Sequence, residues 1–212
     1  MRDDRLERWL DALLRTPGLT AITDPTEARA VHVEGSLAGL SLITEGPVAD
    51  VGSGGGSPGI PLAAGLPAWR VDLIEASARK CEFLASVATE FENVTVVRAR
   101  AEDWGRAAGR DAYAAVVARA LAPQAVAAEW CLPLVRPGGV AVLYAGVPSE
   151  GLESVARALG AEGPEAYPVA GRTTEHLIVF RKVEATPQRF PRRPGIARKR
   201  PLGPTRNLHS GM

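Results

Sequence analysis

The sequence predicts an α/β fold of Rossmann-like type: a mostly parallel sheet with an antiparallel edge pair, preceded by a short helical lead-in. Three observations carry this. From Pro47 onward, short apolar runs alternate with helical stretches, the pattern of βαβ units packed on both faces of a parallel sheet. The first of these strands runs straight into a glycine-rich turn at Gly52. The last two strands have no helix between them, so they read as an antiparallel pair.

In chain order, Leu6, Trp9, Leu10, Leu13 and Leu14 repeat at helical spacing. Thr16-Pro17-Gly18 ends that helix, because proline cannot continue the turn and glycine caps it. A second helix is predicted from Pro25 to Ala38, started by Thr23 or Asp24. Residues 1–45 thus form the lead-in, and 46–185 the core. Within the core, strands are predicted at Val48–Val51, Arg70–Ile74, Val94–Val97, Tyr113–Val117 and Val140–Tyr144. Helices fall between them, from Ser77 to about Phe91 and from Pro123 to Leu134, with Pro137-Gly138-Gly139 as a break. A helix at Ser149–Leu159 and strands at Tyr167–Val169 and His176–Phe180 close the core.

Residues 186–212 lose this pattern and are predicted to be an extended appendage. They carry seven basic side chains and no acidic one, although the 212-residue chain has a net charge of only +1. The other 185 residues hold 18 Lys/Arg against 24 Asp/Glu, so a near-neutral total conceals an acidic body and a basic tail. That asymmetry suits a polyanionic partner; a merely solvated terminus has the same composition. No apolar run approaches the ~20 residues of a membrane span, and the charged amino terminus has no apolar signal core. Two cysteines, Cys81 and Cys131, are too few for a disulfide framework or zinc cluster. A soluble, cytoplasmic monomer is the expectation.

The most informative segment is Asp50-Val51-Gly52-Ser53-Gly54-Gly55-Gly56-Ser57-Pro58-Gly59-Ile60-Pro61. Glycine lets a backbone turn sharply and lets a ligand approach without meeting a Cβ. In open α/β sheets the ligand lies outside the carboxyl ends of the strands, where their order reverses. Glu75 closes the second strand, placed to accept hydrogen bonds from ribose hydroxyls, so a nucleoside-containing cofactor is predicted. The dinucleotide fingerprint fails, because Ser57 stands where its third glycine should be. A phosphate-binding Walker loop fails too, for want of a Lys-Ser or Lys-Thr pair. Arg100-Ala101-Glu102-Asp103-Trp104 follows the third strand, where an acid and neighbouring backbone can meet an adenine. With the Pro137-Gly138-Gly139 turn, this favours S-adenosylmethionine and a class I methyltransferase.

The cysteines read as core residues, since neither has an adjacent activating base. His32, His176 and His209 show no metal-ligand spacing, so no metal site is predicted. Arg119 ends a buried strand at the edge where chemistry belongs, as an ion-pair partner, a ligand-facing cation, or both.

These residues resemble the RsmG (GidB) family. The resemblance rests on the Asp50–Leu62 run, Arg100-Ala101-Glu102, Ala118-Arg119-Ala120, Glu175-His176-Leu177 and the tail Thr186–Gly195, and extends over residues 18–202. It also takes in Leu19-Thr20, Asp24-Pro25, His32 and Ser36-Leu37. It implies a bacterial enzyme that uses S-adenosylmethionine to methylate N7 of one guanine in 16S rRNA, alone or within the small ribosomal subunit. By the same resemblance Gly52, Ser57, Ala101, Glu102 and Arg119 match cofactor-contacting positions, and Glu75 the acid after the second strand; Gly54 joins them as the second glycine of the turn. The chain departs from the family pattern at Gly35, in place of an acid, at Ala145, in place of a lysine, and at Ser57, in place of a larger apolar residue. The family's lead-in helices are also usually longer.

Guanine N7 has a lone pair and no proton, so its methylation needs no general base. Catalysis is then chiefly alignment, with Arg119 as the catalytic, positioning cation. Arg189, Arg192, Arg193, Arg198, Lys199 and Arg200 are the predicted RNA-binding residues, meeting phosphates from a proline-stiffened tail. Two alternatives stay open: a methyltransferase for small molecules on the same fold, and a cofactor-binding RNA module without activity.

Overall fold

A computed structural model describes residues 3–203; Arg206 and His209 lie outside them. Seven strands form one sheet: β1 (Val48–Val51), β2 (Val71–Glu75), β3 (Val94–Arg98), β4 (Tyr113–Arg119), β5 (Val135–Ala145), β6 (Ala161–Val169) and β7 (Arg172–Lys182). Their order is β3-β2-β1-β4-β5-β7-β6. The first five are parallel, and β7 runs antiparallel to both β5 and β6. Strand order reverses at β1, between β2 and β4, which opens a crevice at the carboxyl ends of these strands.

The strands separate two cores because successive side chains alternate in direction. Ala49, Val51 and Val116 pack with Val126 and Trp130 of helix α7 (Gln124–Cys131). Val48 and Val117 pack instead with Ile60 and Leu62 of α4 (Gly59–Gly65) and with the lead-in helix α1 (Asp4–Arg15). Leu6, Trp9, Leu10 and Leu13 of α1 are all buried there, so the lead-in completes a face of the sheet. Between β2 and β3 runs α5 (Ala78–Ala88), entered from Ser77; after β3 comes the short α6 (Ala101–Trp104).

The structure departs from the predicted elements in several places. The second lead-in helix is not uniform: α2 (Pro25–Ala28) and α3 (Gly35–Leu37) flank a π-helical stretch, Arg29–Glu34. Pro137-Gly138-Gly139 does not separate the helix from the fifth strand, because β5 already begins at Val135 and includes it, at a register irregularity between the Tyr113 and Ala115 pairings. The edge strands β6 and β7 are longer than their apolar centres, because β7 supplies backbone partners for a mostly exposed β6. Helix α8 (Leu152–Ala158) begins three residues later than predicted, after Gly151 in the left-handed region.

The largest departure is the tail, which packs against the body where an extended appendage was predicted. Thr186, Phe190 and Ala197 are buried, and a short α9 spans Ile196–Lys199. Arg106 and Arg110 donate to the Pro191 and Phe190 carbonyls at 2.9 and 2.8 Å. Lys182, itself buried, donates to the Leu132 and Leu159 carbonyls and to the Thr186 hydroxyl. An apolar anchor at each end and donors from the body hold this segment where composition alone suggested freedom.

Candidate active site

Two cavities open at the carboxyl ends of β1, β2 and β4, and both are large enough for a small ligand. The first, about 410 Å³, is lined by Gly52, Glu75, Lys80, Ala101, Glu102 and Arg198, among others. The second, about 360 Å³, is lined by Arg119, Tyr144, Ala145 and Glu175 with Ala118 and Leu143. Ala120 and Leu121 line both, so the cavities meet at the turn that follows β4. Ala120 has a φ of 50°, a left-handed conformation uncommon for a residue with a Cβ; it turns the chain away sharply after Arg119.

The glycine turn forms the first cavity's floor. Gly52 has a φ of 71°, and a Cβ there would overlap the Leu121 side chain. Gly55 faces α1: a Cβ would overlap Leu13, while the Trp9 indole donates to the Gly55 carbonyl at 2.9 Å. The lead-in helix therefore braces the turn from behind. Glu75 braces it from the front, since its carboxylate accepts from the Gly54 and Ser77 amides at 3.0 and 2.8 Å. Each carboxylate oxygen has a second lone pair, so these bonds orient Glu75 without exhausting it. Glu102 is buried and accepts from the Gly195 amide at 3.2 Å.

Asp50 ties the turn to α4. Its Oδ2 accepts from the Gly59 amide at 3.0 Å, while the buried Oδ1 has no partner among the described residues. Burial pushes this carboxyl up to about 7, against the lowering effects of the Gly59 amide and the Arg119 charge. A carboxyl raised in the folded state contributes stability at low pH that is lost as pH rises through its folded value. Relative to Asp50→Asn, the wild type is expected to lose a few kcal/mol of unfolding free energy between about pH 4 and about pH 7. Denaturant midpoints of both proteins across that range measure it; parallel curves would contradict it.

Arg119 stands at the other cavity. Its Nη1 donates to the Val31 carbonyl at 2.8 Å and to the Ser57 hydroxyl at 3.0 Å, and its guanidinium lies 4.7 Å from the Tyr144 ring centroid. Tyr144 donates from its hydroxyl to the Ser36 carbonyl at 2.6 Å. The π-helical stretch thus supplies the carbonyl of Val31 to this arginine, and its side of the lead-in closes the site. Arg119 Nη2 is buried and has no partner among the described residues. A Cβ on Gly35 would lie 3.6 Å from that nitrogen. Gly35, Ser57 and Ala145 therefore surround one side chain: Gly35 faces Arg119 Nη2, Ser57 accepts from Nη1, and Ala145 lines its cavity.

The predicted site residues divide accordingly. Gly52, Glu75, Ala101 and Glu102 line the first cavity and Gly54 borders it through Glu75, whereas Ser57 bonds to Arg119, which lines the second. Of the tail cations, Arg189, Arg193, Lys199 and Arg200 are exposed. Arg192 is engaged by Glu129, which is fully buried. Arg198 stacks 5.2 Å from the Trp130 ring centroid and lines the first cavity, an assignment that only the packing of the tail makes visible. Cys81 and Cys131 are buried, and burial pushes both thiols up, away from the thiolate. His32 is held low by burial and by the nearby Arg119 and Arg172 charges. No helix is long and apolar enough to cross a membrane, and no cluster of metal-ligating side chains occurs, among the described residues.

A seven-stranded sheet in this order, with its glycine turn after β1 and a buried acid ending β2, is the fold of class I, Rossmann-like methyltransferases. Solved structures of that class superpose on it. Fibrillarin from Aeropyrum pernix, in complex with S-adenosyl-L-methionine, matches with a TM-score of 0.53 and 13% identity over 72% of this chain and 76% of its own. A precorrin-6y C5,15-methyltransferase from Geobacter metallireducens matches with a TM-score of 0.51 and 19% identity over 81% and 95%.

The chain belongs to the GidB family, rRNA small subunit methyltransferase G, whose family model matches residues 4–170. Ribosomal RNA small subunit methyltransferase G of Rubrobacter xylanophilus is 41% identical over 89% of this chain and 78% of the relative. The protein of the same name from Synechococcus elongatus is 40% identical over 87% and 82%.

Proposed function

We infer that this protein transfers a methyl group from S-adenosylmethionine to N7 of a guanine in 16S rRNA. The observation that carries the reading is the junction of two cavities at Ala120 and Leu121, one built around Gly52, Glu75 and Glu102 and the other around Arg119. The first has the acceptors an adenosyl group needs. Glu75 is a fixed, incompletely used carboxylate for ribose hydroxyls, the glycine turn permits close approach, and Ala101 and Glu102 stand beside the adenine position. Arg198 and Trp130 add a lid from the tail and α7. When bound there, the cofactor supplies an electrophilic methyl group on sulfur.

The chain's own task is alignment. Guanine N7 presents a lone pair and no proton, so no side chain needs to act as a base. Arg119 holds the acceptor against the cofactor and is itself held by Val31, Ser57 and Tyr144. Well-oriented reactants gain up to ~7–11 kcal/mol from such positioning. The exposed Arg189, Arg193, Lys199 and Arg200 meet RNA phosphates, and the enzyme acts as a cytoplasmic monomer on 16S rRNA or the small subunit.

The test is transfer of labelled methyl from S-adenosylmethionine to unmethylated small-subunit RNA and small subunits, followed by nucleoside analysis. Label is expected as 7-methylguanosine. Cofactor binding without RNA labelling would favour a small-molecule acceptor or an inactive RNA-binding module. Arg119→Ala is expected to lower kcat/KM about 10- to 100-fold, the worth of one charge-assisted contact. Unchanged turnover and cofactor affinity would exclude that role.

A further inference from the structure

We propose that the cavity beside Arg119 is a purine pocket in which Glu175 reads the acceptor guanine through the donors of its Watson–Crick edge. The proposal rests on the methyltransferase reading above and adds the residue that selects the base. Its first support is location: the cavity shares Ala120 and Leu121 with the proposed cofactor cleft, so a base held in it lies next to the transferable methyl. Its second is shape and surface. At about 360 Å³, with Ala118, Leu121 and Leu143 in its walls, it offers an apolar slot with few polar groups, as ligand pockets generally do.

Elimination among those side-chain polar groups leaves one acceptor. The Gln124 amide is spent on Val147 and Ser149, donating to the carbonyl at 2.9 Å and accepting from the amide at 2.7 Å. The Tyr144 hydroxyl is spent on the Ser36 carbonyl. Arg119 gives Nη1 to Val31 and Ser57, and its Nη2 is buried beside Gly35. Glu175 gives Oε1 to Arg172, which orients it from three residues away, and no described residue bonds to Oε2.

A purine is recognised by the match of its edges to such groups. Guanine carries adjacent N1–H and N2–H donors on one edge and the O6 and N7 acceptors on the other. A carboxylate complements the first edge. Adenine places a lone pair at N1, which a carboxylate repels, so the same pocket rejects it. Enzymes that act on a base commonly read it through its Watson–Crick edge in this way.

The experiment compares small-subunit RNA carrying guanosine at the methylated position, once mapped, with the same RNA carrying inosine there. Inosine keeps N1–H, O6 and N7 and lacks only the N2 amino group. Wild-type enzyme is expected to prefer guanosine by about 10- to 100-fold in kcat/KM, the worth of a charge-assisted hydrogen bond. In Glu175→Ala the guanosine substrate is expected to fall to the level of inosine, so the preference disappears, while S-adenosylmethionine binding by calorimetry stays at the wild-type value. Glu175→Gln, whose amide oxygen serves Arg172 and whose NH₂ then faces the base's donors, is expected to lose the preference as well and serves if the alanine variant does not fold. A guanosine preference unchanged in both variants overturns the assignment of Glu175. Wild type that binds cofactor yet labels neither RNA overturns the parent reading, and this proposal with it.

Discussion

Arg192→Ala is expected to lower the stability of the fold by about 3–5 kcal/mol. Glu129 on α7 is fully buried, and Arg192 meets it with its backbone amide, Nε and Nη2. Removing the guanidinium leaves a carboxylate in the apolar layer between α7 and the tail with one amide as its partner. Breaking such a pair costs far more than forming it gains, because the survivor remains desolvated. The loss is read from denaturant unfolding, and Glu129→Gln in the same chain is expected to restore much of it by removing the stranded charge. The RNA-binding role predicted for Arg192 makes the opposite demand: weaker RNA binding, a shallower salt dependence and no change in stability. That pattern would show that Arg192 leaves Glu129 for phosphate. Substituting the exposed Arg189, Arg193, Lys199 and Arg200 is expected to flatten the salt dependence while leaving stability within about 0.5 kcal/mol of wild type.

Glu75→Ala is expected to weaken S-adenosylmethionine binding by about 100-fold. Two charge-assisted hydrogen bonds to ribose, at roughly 1.5–3 kcal/mol each, already account for that factor. The variant also releases the Gly54 and Ser77 amides that Glu75 now holds, so the glycine turn loses its front brace. Glu75→Gln does not rescue it fully. One amide oxygen can serve only one side of the carboxylate's task, and the amide NH₂ faces a donor on the other. Calorimetric titration with the cofactor measures both variants. Affinity within threefold of wild type would remove Glu75 from the cofactor site and redirect attention to Glu102, the other buried acid of that cleft.

The parallel core is legible from the chain alone, and the reason is local. Strands buried on both faces are mostly apolar, so Val48–Val51, Val71–Glu75 and Tyr113–Arg119 stand out wherever they lie in the chain, even with Asp50 and Asp72 inside the first two. The turn after β1 is equally legible, because a strand running into Gly52, Gly54, Gly55 and Gly56 marks a backbone that needs conformations other residues resist. Glu75 followed from its place at the end of β2. What lay beyond reach were pairings between residues distant in sequence. The carboxylate of Glu129, on an otherwise apolar helix, gives no local sign that Arg192 will cover it. The Pro/Arg composition of the tail describes an isolated segment accurately, yet buried Phe190 and Ala197 and the donors of Arg106 and Arg110 hold it on the body. Nor does any local pattern show that the π-helical stretch lends the Val31 carbonyl to Arg119, or that Glu175 on β7 faces the same cavity. Element type follows from neighbours along the chain, whereas a charge's partner is set by desolvation, and desolvation exists only once the helices and tail have closed over the sheet.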